Sequence, residues 1–189
     1  MKTHFPAIAY WSWAALILVW LPGYFTRRRT SEVPSLALQV PTSALLVVCF
    51  VLLFNPRVLG LGVSITPQTP LLGLIGVALD LAGVAFAIWA RLTLGRNWSG
   101  LVVTAQEGHE LVQTGPYALV RHPIYTGLLL AIVGTALTLG TLASYLGVAA
   151  GVTGLLIRVH LEEKLMRERF GATHAAYRQR TWKLIPLLW

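Results

Sequence analysis

The sequence predicts an all-α integral membrane protein with about five transmembrane helices, folded as a single membrane domain over residues 1–189. Hydrophobic residues make up 56% of the chain and charged residues only 12%, far below the roughly one quarter that is usual in soluble domains. Apolar stretches also recur at close to the length of about 20 residues that crosses the hydrocarbon core. They lie near 6–25, 38–54, 71–92, 124–140 and 141–160.

The first stretch is too long for a signal peptide and no small-residue cleavage site follows it, so we expect it to remain as a span. The second and fourth stretches come close to the spanning length without reaching it. The last two are separated only by LGTL at 139–142, which predicts a tight hairpin of antiparallel helices. A polar connection at 93–123 and a tail at 161–189 are predicted to be cytoplasmic. We expect the tail to continue the last helix and then to lie at the membrane interface through four apolar residues, Leu184, Ile185, Leu187 and Trp189.

The basic residues indicate the orientation of the chain. Thirteen of the 15 Lys and Arg residues lie after the first, third and fifth stretches, and only Lys2 and Arg57 lie in the alternate segments. By the positive-inside rule the N-terminus is outside and the C-terminus is cytoplasmic, in what we expect to be a prokaryotic inner membrane. The net charge of +8 therefore indicates contact with membrane lipids, and no nucleic acid partner is predicted. Cys49 is the only cysteine, so neither a disulfide framework nor a Cys-based metal site is predicted.

Two features inside the spans have open interpretations. Asp80 lies within the third stretch, where an ionisable group is a functional hypothesis by default, but its depth favours a structural hydrogen bond to another helix. Gly147 and Gly151 have the spacing that permits close helix contact. We expect them to pack within the last hairpin, with self-association as the alternative. The sequence leaves the oligomeric state open, and a monomer is compatible with it.

The stretch GPYALVRHPIYTG at 115–127 collects polar groups at the start of the fourth span. Pro123 suits the first turn of a helix, which places His122 at or near the cap. A helix N-terminus attracts anions through its free N–H groups and partial positive charge, and Arg121 adds a guanidinium there. The pattern indicates an anion site at the cytoplasmic edge of the bilayer. The alternative is a capped helix whose arginine reaches toward lipid phosphates.

A second charged stretch, RVHLEEKLMRERF, follows the fifth span. Glu162 and Glu163 point about 100° apart on a helix, so one can face inward while the other faces water. Arg158 and Arg167 stand at the four-residue spacing of intrahelical ion pairs. The short hairpin predicts that one of the glutamates lies close to Arg121 and His122. A solvated, charged helix end is the alternative.

Three segments, LGRNWSG, EGHELVQTGPYALVRHPIYTG and EEKLMRERFGATHAAYRQRTWKLIP, together resemble the isoprenylcysteine carboxyl methyltransferase family and the related phospholipid methyltransferases. The resemblance covers roughly residues 90–186. It implies an enzyme that uses S-adenosyl-L-methionine, held in a cytoplasmic pocket of the C-terminal half. No G-x-G-x-x-G motif of a dinucleotide-binding domain occurs. By resemblance the cofactor contacts are Tyr117, His122, Tyr125 and Glu163, with Glu162 as a neighbour of open role. The two tyrosines have interfacial anchoring as their alternative.

The resemblance also implies a lipophilic or prenylated methyl acceptor, with carboxyl methylation of an isoprenylcysteine-like substrate as the expected reaction. A carboxylate needs a cation to hold it, and Arg121 is the first candidate, followed by Arg158 and Arg167. A phospholipid amine or a small thiol would instead favour a base, for which His122 is nearest. An NADPH-dependent membrane reductase and a silent scaffold or small transporter remain as alternatives from other classes.

Overall fold

The computed structural model describes residues 4–26, 30–32, 36–55, 57–98, 105–106 and 110–186, and five helices dominate it. Two short strands, β1 and β2, and three single-turn 3-10 helices lie in the connections. The helices are α1 Phe5–Thr26, α2 Leu36–Phe54, α3 Pro70–Leu94, α4 Pro123–Leu139 and α5 Leu142–Gln179. Each of the five predicted apolar stretches is therefore helical.

Three of the described helices are long and apolar enough to cross a membrane, namely α1, α3 and α5. The other two, α2 and α4, are shorter apolar helices, with α4 covering 17 residues. A membrane domain is thus supported, while crossing by all five helices stays a prediction. Helix α5 covers 38 residues with a break at Gly171, and its regular part before the break, over 142–170, is about 44 Å long at 1.5 Å per residue, so it extends beyond a bilayer core of about 30 Å.

The hairpin between α4 and α5 is as tight as the sequence predicts. Gly140 ends α4 with φ +64°, in the left-handed conformation that glycine adopts without strain. Thr141 begins α5 with a reciprocal cap, in which its side chain accepts from the Ser144 N–H and the Ser144 side chain accepts from the Thr141 N–H. The start of the second charged stretch is thereby returned toward the start of α4.

Glycines set how closely the helices approach. A Cβ atom built on Gly83 of α3 would lie 2.5 Å from the backbone of Gly127 in α4, and one on Gly134 would lie 2.5 Å from the backbone of Gly76. The expectation for the α5 glycines was wrong for Gly147 and holds in part for Gly151, whose built Cβ lies 2.8 Å from Cys49 Sγ of α2 and 3.2 Å from Ile132 Cδ1 of α4. Gly147 faces α2, as Cys49 O lies 3.1 Å from its built Cβ, because α2 rather than α4 packs along that face of α5.

Asp80 is a structural residue of the helix interface, as its depth predicts. Its side chain is fully buried and accepts hydrogen bonds from Ser12 of α1 and, at 2.9 Å, from Thr135 of α4. Thr135 in turn accepts from Trp13 Nε1 at 2.9 Å. This network joins α1, α3 and α4, and it satisfies a carboxyl group that would otherwise be costly inside an apolar core.

Successive connections between the helices lie at opposite ends of the bundle, and connections at the same end pair with each other. Strand β1 (Thr30–Glu32) pairs antiparallel with β2 (Ala105–Gln106), which joins the α1–α2 connection to the α3–α4 connection. At the other end Ser64, between α2 and α3, forms a bridge with Thr141 in the α4–α5 hairpin. This alternation places the start of α4 and the C-terminal part of α5 at the same end of the bundle.

Candidate active site

The start of α4 is built as the sequence predicts. A 3-10 turn covers Gly115–Ala118, and α4 begins at Pro123 with His122 as its cap residue. The His122 side chain makes no hydrogen bond to the helix backbone. It is buried at 8% exposure, so the imidazole is available to partners from other elements.

Glu163 of α5 is the principal partner at this point. Its side chain is 4% exposed, and its Oε1 atom accepts from Arg121 Nε at 2.8 Å and lies 2.9 Å from His122 Nε2. The hairpin thus brings α5 to Arg121 and His122, as expected from the short turn. A buried carboxylate with two cationic neighbours satisfies the requirement that a buried charge be paired and hydrogen-bonded.

Glu162 also faces the cluster, which corrects the expectation that one glutamate faces water. Its side chain is 23% exposed, and its Oε2 atom lies 3.3 Å from His122 Nδ1. Its Oε1 atom accepts from the Tyr125 hydroxyl. His122 can bridge both carboxylates because its two ring nitrogens point in different directions. Burial lowers the pKa of His122, but hydrogen bonds and charges from Glu162 and Glu163 more than offset it and raise the pKa overall.

The segment after α5 packs beside the entry to α4. Arg121 N donates to Trp182 O at 2.8 Å, His122 N donates to Lys183 O at 3.2 Å, and Arg121 Nη1 donates to Thr181 O at 2.6 Å. Leu184 is buried inside the protein. The expected interfacial position is therefore wrong for Leu184, because backbone pairing with 119–122 pulls the segment inward. Ile185 is exposed, and Leu187 and Trp189 lie outside the described residues.

A cavity of about 370 Å³ adjoins the charged cluster. Its lining has a polar part, the polar wall, and an apolar and aromatic part, the apolar wall, which comes mostly from α1, α2, α4 and α5. The polar lining residues include Asn97, Glu110, Tyr117, Arg121, His122, Tyr125, Arg158, Glu162, Glu163, His174 and Tyr177. The apolar lining includes Trp13, Leu16, Ile17, Trp20, Leu46, Phe50, Phe54, Trp98, Leu128, Ile132, Leu155 and Met166.

Seven of the eight predicted site residues line this cavity; the exception is Arg167, which is exposed on α5 and is not among the lining residues. Arg158 is buried at 5% exposure and its Nη2 donates to Ser43 Oγ of α2 at 3.2 Å. Tyr117 is buried, and its carbonyl accepts from the Tyr177 hydroxyl at 2.6 Å. The interfacial-anchor alternative therefore does not describe Tyr117.

The sequence analysis did not identify several of the residues that line the cavity. His174 and Tyr177 stand three residues apart in THAAY, a spacing that places both on one helix face and that the quoted motif already contained. The aromatic wall of Trp20 and Phe50 carried no local signal, because it depends on how α1 and α2 rotate toward the cavity. Among the described residues, no group of three or more His, Cys, Asp or Glu side chains is arranged to hold a metal ion.

The fold and the cavity together define a membrane helical bundle that encloses a charged pocket beside an apolar one. The model of the isoprenylcysteine carboxyl methyltransferase family matches residues 75–168. Over this region the chain belongs to that family.

Individual relatives carry two kinds of name. The chain is 30% identical over 115 residues to protein-S-isoprenylcysteine O-methyltransferase B of Arabidopsis thaliana, covering 60% of this chain and 58% of the relative. It is also 30% identical over 131 residues to the cobalt-zinc-cadmium resistance protein CzcN of Cupriavidus metallidurans, covering 67% of this chain and 53% of the relative. The chain thus spans a little over half the length of these relatives.

A solved structure shares the fold. The eukaryotic intramembrane Ras methyltransferase ICMT superposes with a TM-score of 0.55 at 25% sequence identity, covering 77% of this chain and 52% of that chain. The helical arrangement around the cavity is therefore a family architecture.

Proposed function

We propose that this chain is an S-adenosylmethionine-dependent methyltransferase that acts on a lipophilic carboxylate of the isoprenylcysteine type. One observation carries the proposal. A single cavity joins the charged cluster of His122, Glu162 and Glu163 to an apolar wall that includes Phe50 and Trp20. A polar donor molecule and an apolar acceptor can therefore meet within one cavity.

The residues of the polar wall fit the donor. S-adenosylmethionine carries a carboxylate, an ammonium, a sulfonium, a ribose diol and an adenine, so its pocket needs cationic, anionic and aromatic surfaces together. Glu163 offers an Oε2 atom that is buried and has no hydrogen-bond partner among the described residues. Tyr117 and Tyr125 supply ring faces next to the carboxylates, and ring faces attract sulfonium-like cations.

The apolar wall fits a prenyl or comparable lipid chain. It is formed by α1 and α2, through Leu16, Ile17, Leu46, Phe50 and Phe54. Ile17 and Phe54 are exposed at 60% and 40%, so the wall continues to the outer surface of the bundle. An acceptor would enter sideways from the bilayer between these two helices, while the donor would enter from the cytoplasm.

The charge pattern favours a carboxylate acceptor over an amine or a thiol. Both ring nitrogens of His122 face glutamate oxygens, which favours the protonated imidazole, so His122 is poorly suited to accept a further proton. A carboxylate is already ionised at neutral pH and needs no base. It does need a cation, and Arg158 is our candidate because its buried guanidinium lines the cavity, while Arg121 holds Glu163 and the Thr181 carbonyl.

The chemistry required of the protein is alignment and exclusion of water. The donor supplies a methyl group bound to a sulfonium, and the acceptor oxygen must approach this carbon in line. Arg158 would orient the acceptor carboxylate, while the surrounding aromatic residues keep water from the reacting atoms. Arg121 and His122 would hold the Glu163 carboxylate in position.

Isothermal titration of the detergent-solubilised protein tests the proposal. We expect S-adenosylmethionine to bind and NADPH not to bind. Binding of NADPH alone would support the membrane reductase instead, and binding of neither would support a scaffold or transporter. Glu163→Ala should weaken the S-adenosylmethionine signal, whereas Glu168→Ala, an exposed position on the same helix, should leave it unchanged.

A further inference from the structure

Helix α5 changes direction at a single residue, Gly171. Its φ of +44° and ψ of −117° are not helical, and side-chain-bearing residues rarely adopt such a conformation. The segment that follows carries His174 and Tyr177, both of which line the cavity. The bond from Tyr177 to the Tyr117 carbonyl fixes this segment against the entry to α4.

His174 has an unusual environment on the cavity wall. It is buried at 1% exposure, yet its Nδ1 atom has no hydrogen-bond partner among the described residues. Its Nε2 atom lies 3.9 Å from Glu163 Oε2, which is beyond hydrogen-bond range. Glu163 Oε2 also lacks a hydrogen-bond partner in this part of the chain. Buried polar atoms are rarely left without a hydrogen bond. His174 Nδ1 has none, and Glu163 Oε2 has only its longer ion pairs with His174 and Arg178. Because both residues line the cavity, this unused hydrogen-bonding capacity indicates a bound polar group.

The charges around Glu163 restrict the chemistry of that group. Arg121, His122 and Arg178 already face this carboxylate, with Arg178 Nε 3.5 Å from Oε2. A further cation such as an ammonium would be repelled by these three groups, and an anion would be repelled by Glu163 itself. A neutral hydroxyl avoids both penalties, because it donates to a carboxylate oxygen and either donates to or accepts from an imidazole nitrogen.

Building on the function proposed above, we infer that His174, together with Glu163 Oε2, binds the ribose hydroxyls of the methyl donor. His174 is then a ligand-binding residue of the donor pocket. Replacing His174 should reduce the preference of the pocket for ligands with an intact ribose. A merely structural residue would weaken all ligands alike.

The test compares S-adenosylhomocysteine with its 2′-deoxy and 3′-deoxy analogues by isothermal titration. The wild-type protein should bind the ribose form roughly tenfold more tightly than at least one deoxy analogue, the scale of one lost hydrogen bond to a charged group. His174→Phe should show a clearly smaller preference, because only Glu163 Oε2 remains to bind the ribose hydroxyls, and His174→Asn should restore part of what is lost. His160→Phe, at an exposed histidine of the same helix, is the matched control and should behave as wild type.

The outcomes separate this inference from the proposed function. A preference that persists undiminished in His174→Phe, with all three ligands weakened alike, would assign His174 a structural role and overturn the inference. Equal binding of the three ligands by the wild-type protein would also overturn it, even if neither variant folds. Failure of the wild-type protein to bind S-adenosylhomocysteine at all would contradict the methyltransferase proposal itself.

Discussion

The Nε atom of Arg121 lies 2.8 Å from Oε1 of Glu163, although 42 residues separate them in the chain. The pair joins the entry of α4 to the far part of α5 and forms the floor of the charged cluster. Because both side chains are almost fully buried, loss of Glu163 leaves the Arg121 guanidinium without its carboxylate partner. The functional predictions below depend on this arrangement.

Removal of a cluster side chain should weaken donor binding. Glu163→Ala and His122→Ala should each reduce the affinity for S-adenosylmethionine by about 1.5–3 kcal/mol, the scale of a lost hydrogen bond to a charged group. Isothermal titration measures this effect, and the thermal unfolding midpoint shows whether each variant is folded. Unchanged affinity in both variants would mean that the donor binds elsewhere.

Stability should depend on pH through His122. Burial lowers the pKa of this imidazole, but Glu162 and Glu163 raise it by more, so the folded-state pKa exceeds the ordinary value of 6.5. The protonated form therefore contributes stability that is fully present below the unfolded-state pKa and is lost as pH rises through the folded-state pKa. The unfolding midpoint of the wild-type protein should fall over this window. His122→Gln should flatten the fall, and identical profiles for the two proteins would refute this explanation.

The two cavity arginines should differ when replaced by lysine. In Arg121→Lys one ammonium replaces a fork that binds Glu163 and the Thr181 carbonyl, so both donor affinity and activity should fall. In Arg158→Lys the KM for the acceptor should rise while donor affinity stays close to wild type. Arg169→Lys, at an exposed position, provides the control. Equal effects of the Arg121 and Arg158 variants on donor affinity would contradict the division of roles.

The close approach of α3 and α4 should not tolerate a side chain at Gly83. A Cβ atom there would lie 2.5 Å from the backbone atoms Ala131 N and Gly127 O, which cannot move independently of the helix. Gly83→Ala should therefore destabilise the protein by about 1–3 kcal/mol, which would be measured as a lower unfolding midpoint. Leu81→Ala, at a half-exposed position on the same helix, should have a small effect. A Gly83→Ala protein as stable as wild type would show that these helices are farther apart.

The distribution of basic residues predicts the membrane orientation. A reporter fused after Trp189 should be cytoplasmic and one fused before Lys2 should be external, because 13 of the 15 basic residues belong to the segments predicted to be cytoplasmic and only two belong to the alternate ones. Reversed signals would place the charged cluster on the wrong side of the membrane for a cytoplasmic donor.

The parts of the fold that were predictable from the sequence are those with local causes. Pro123 determined the start of α4, and the short turn at Gly140 determined the hairpin, so helix geometry predicted that Glu162 or Glu163 meets Arg121 without indicating which. The seven-residue spacing of Gly76 and Gly83 in α3 was a further local signal of close packing that we did not use.

The remaining features depend on how helices rotate about their axes. Helices that are apolar all round have no preferred face, so the sequence did not indicate that Trp20 and Phe50 line the cavity. His174 reached the cavity through the break at Gly171, and the inward course of the tail depends on its backbone pairing with 119–122. Neither feature has a periodic pattern.

The most direct test of the account is to incubate the purified protein with methyl-labelled S-adenosylmethionine, native membrane lipids and a synthetic farnesylcysteine analogue, and to identify the labelled product by mass spectrometry. We expect a base-labile methyl ester, formed at a rate that reaches a plateau above the carboxyl pKa of the acceptor. An N-methyl or S-methyl product would contradict the carboxylate acceptor, and the absence of any labelled product, with active relatives as controls, would contradict the methyltransferase itself.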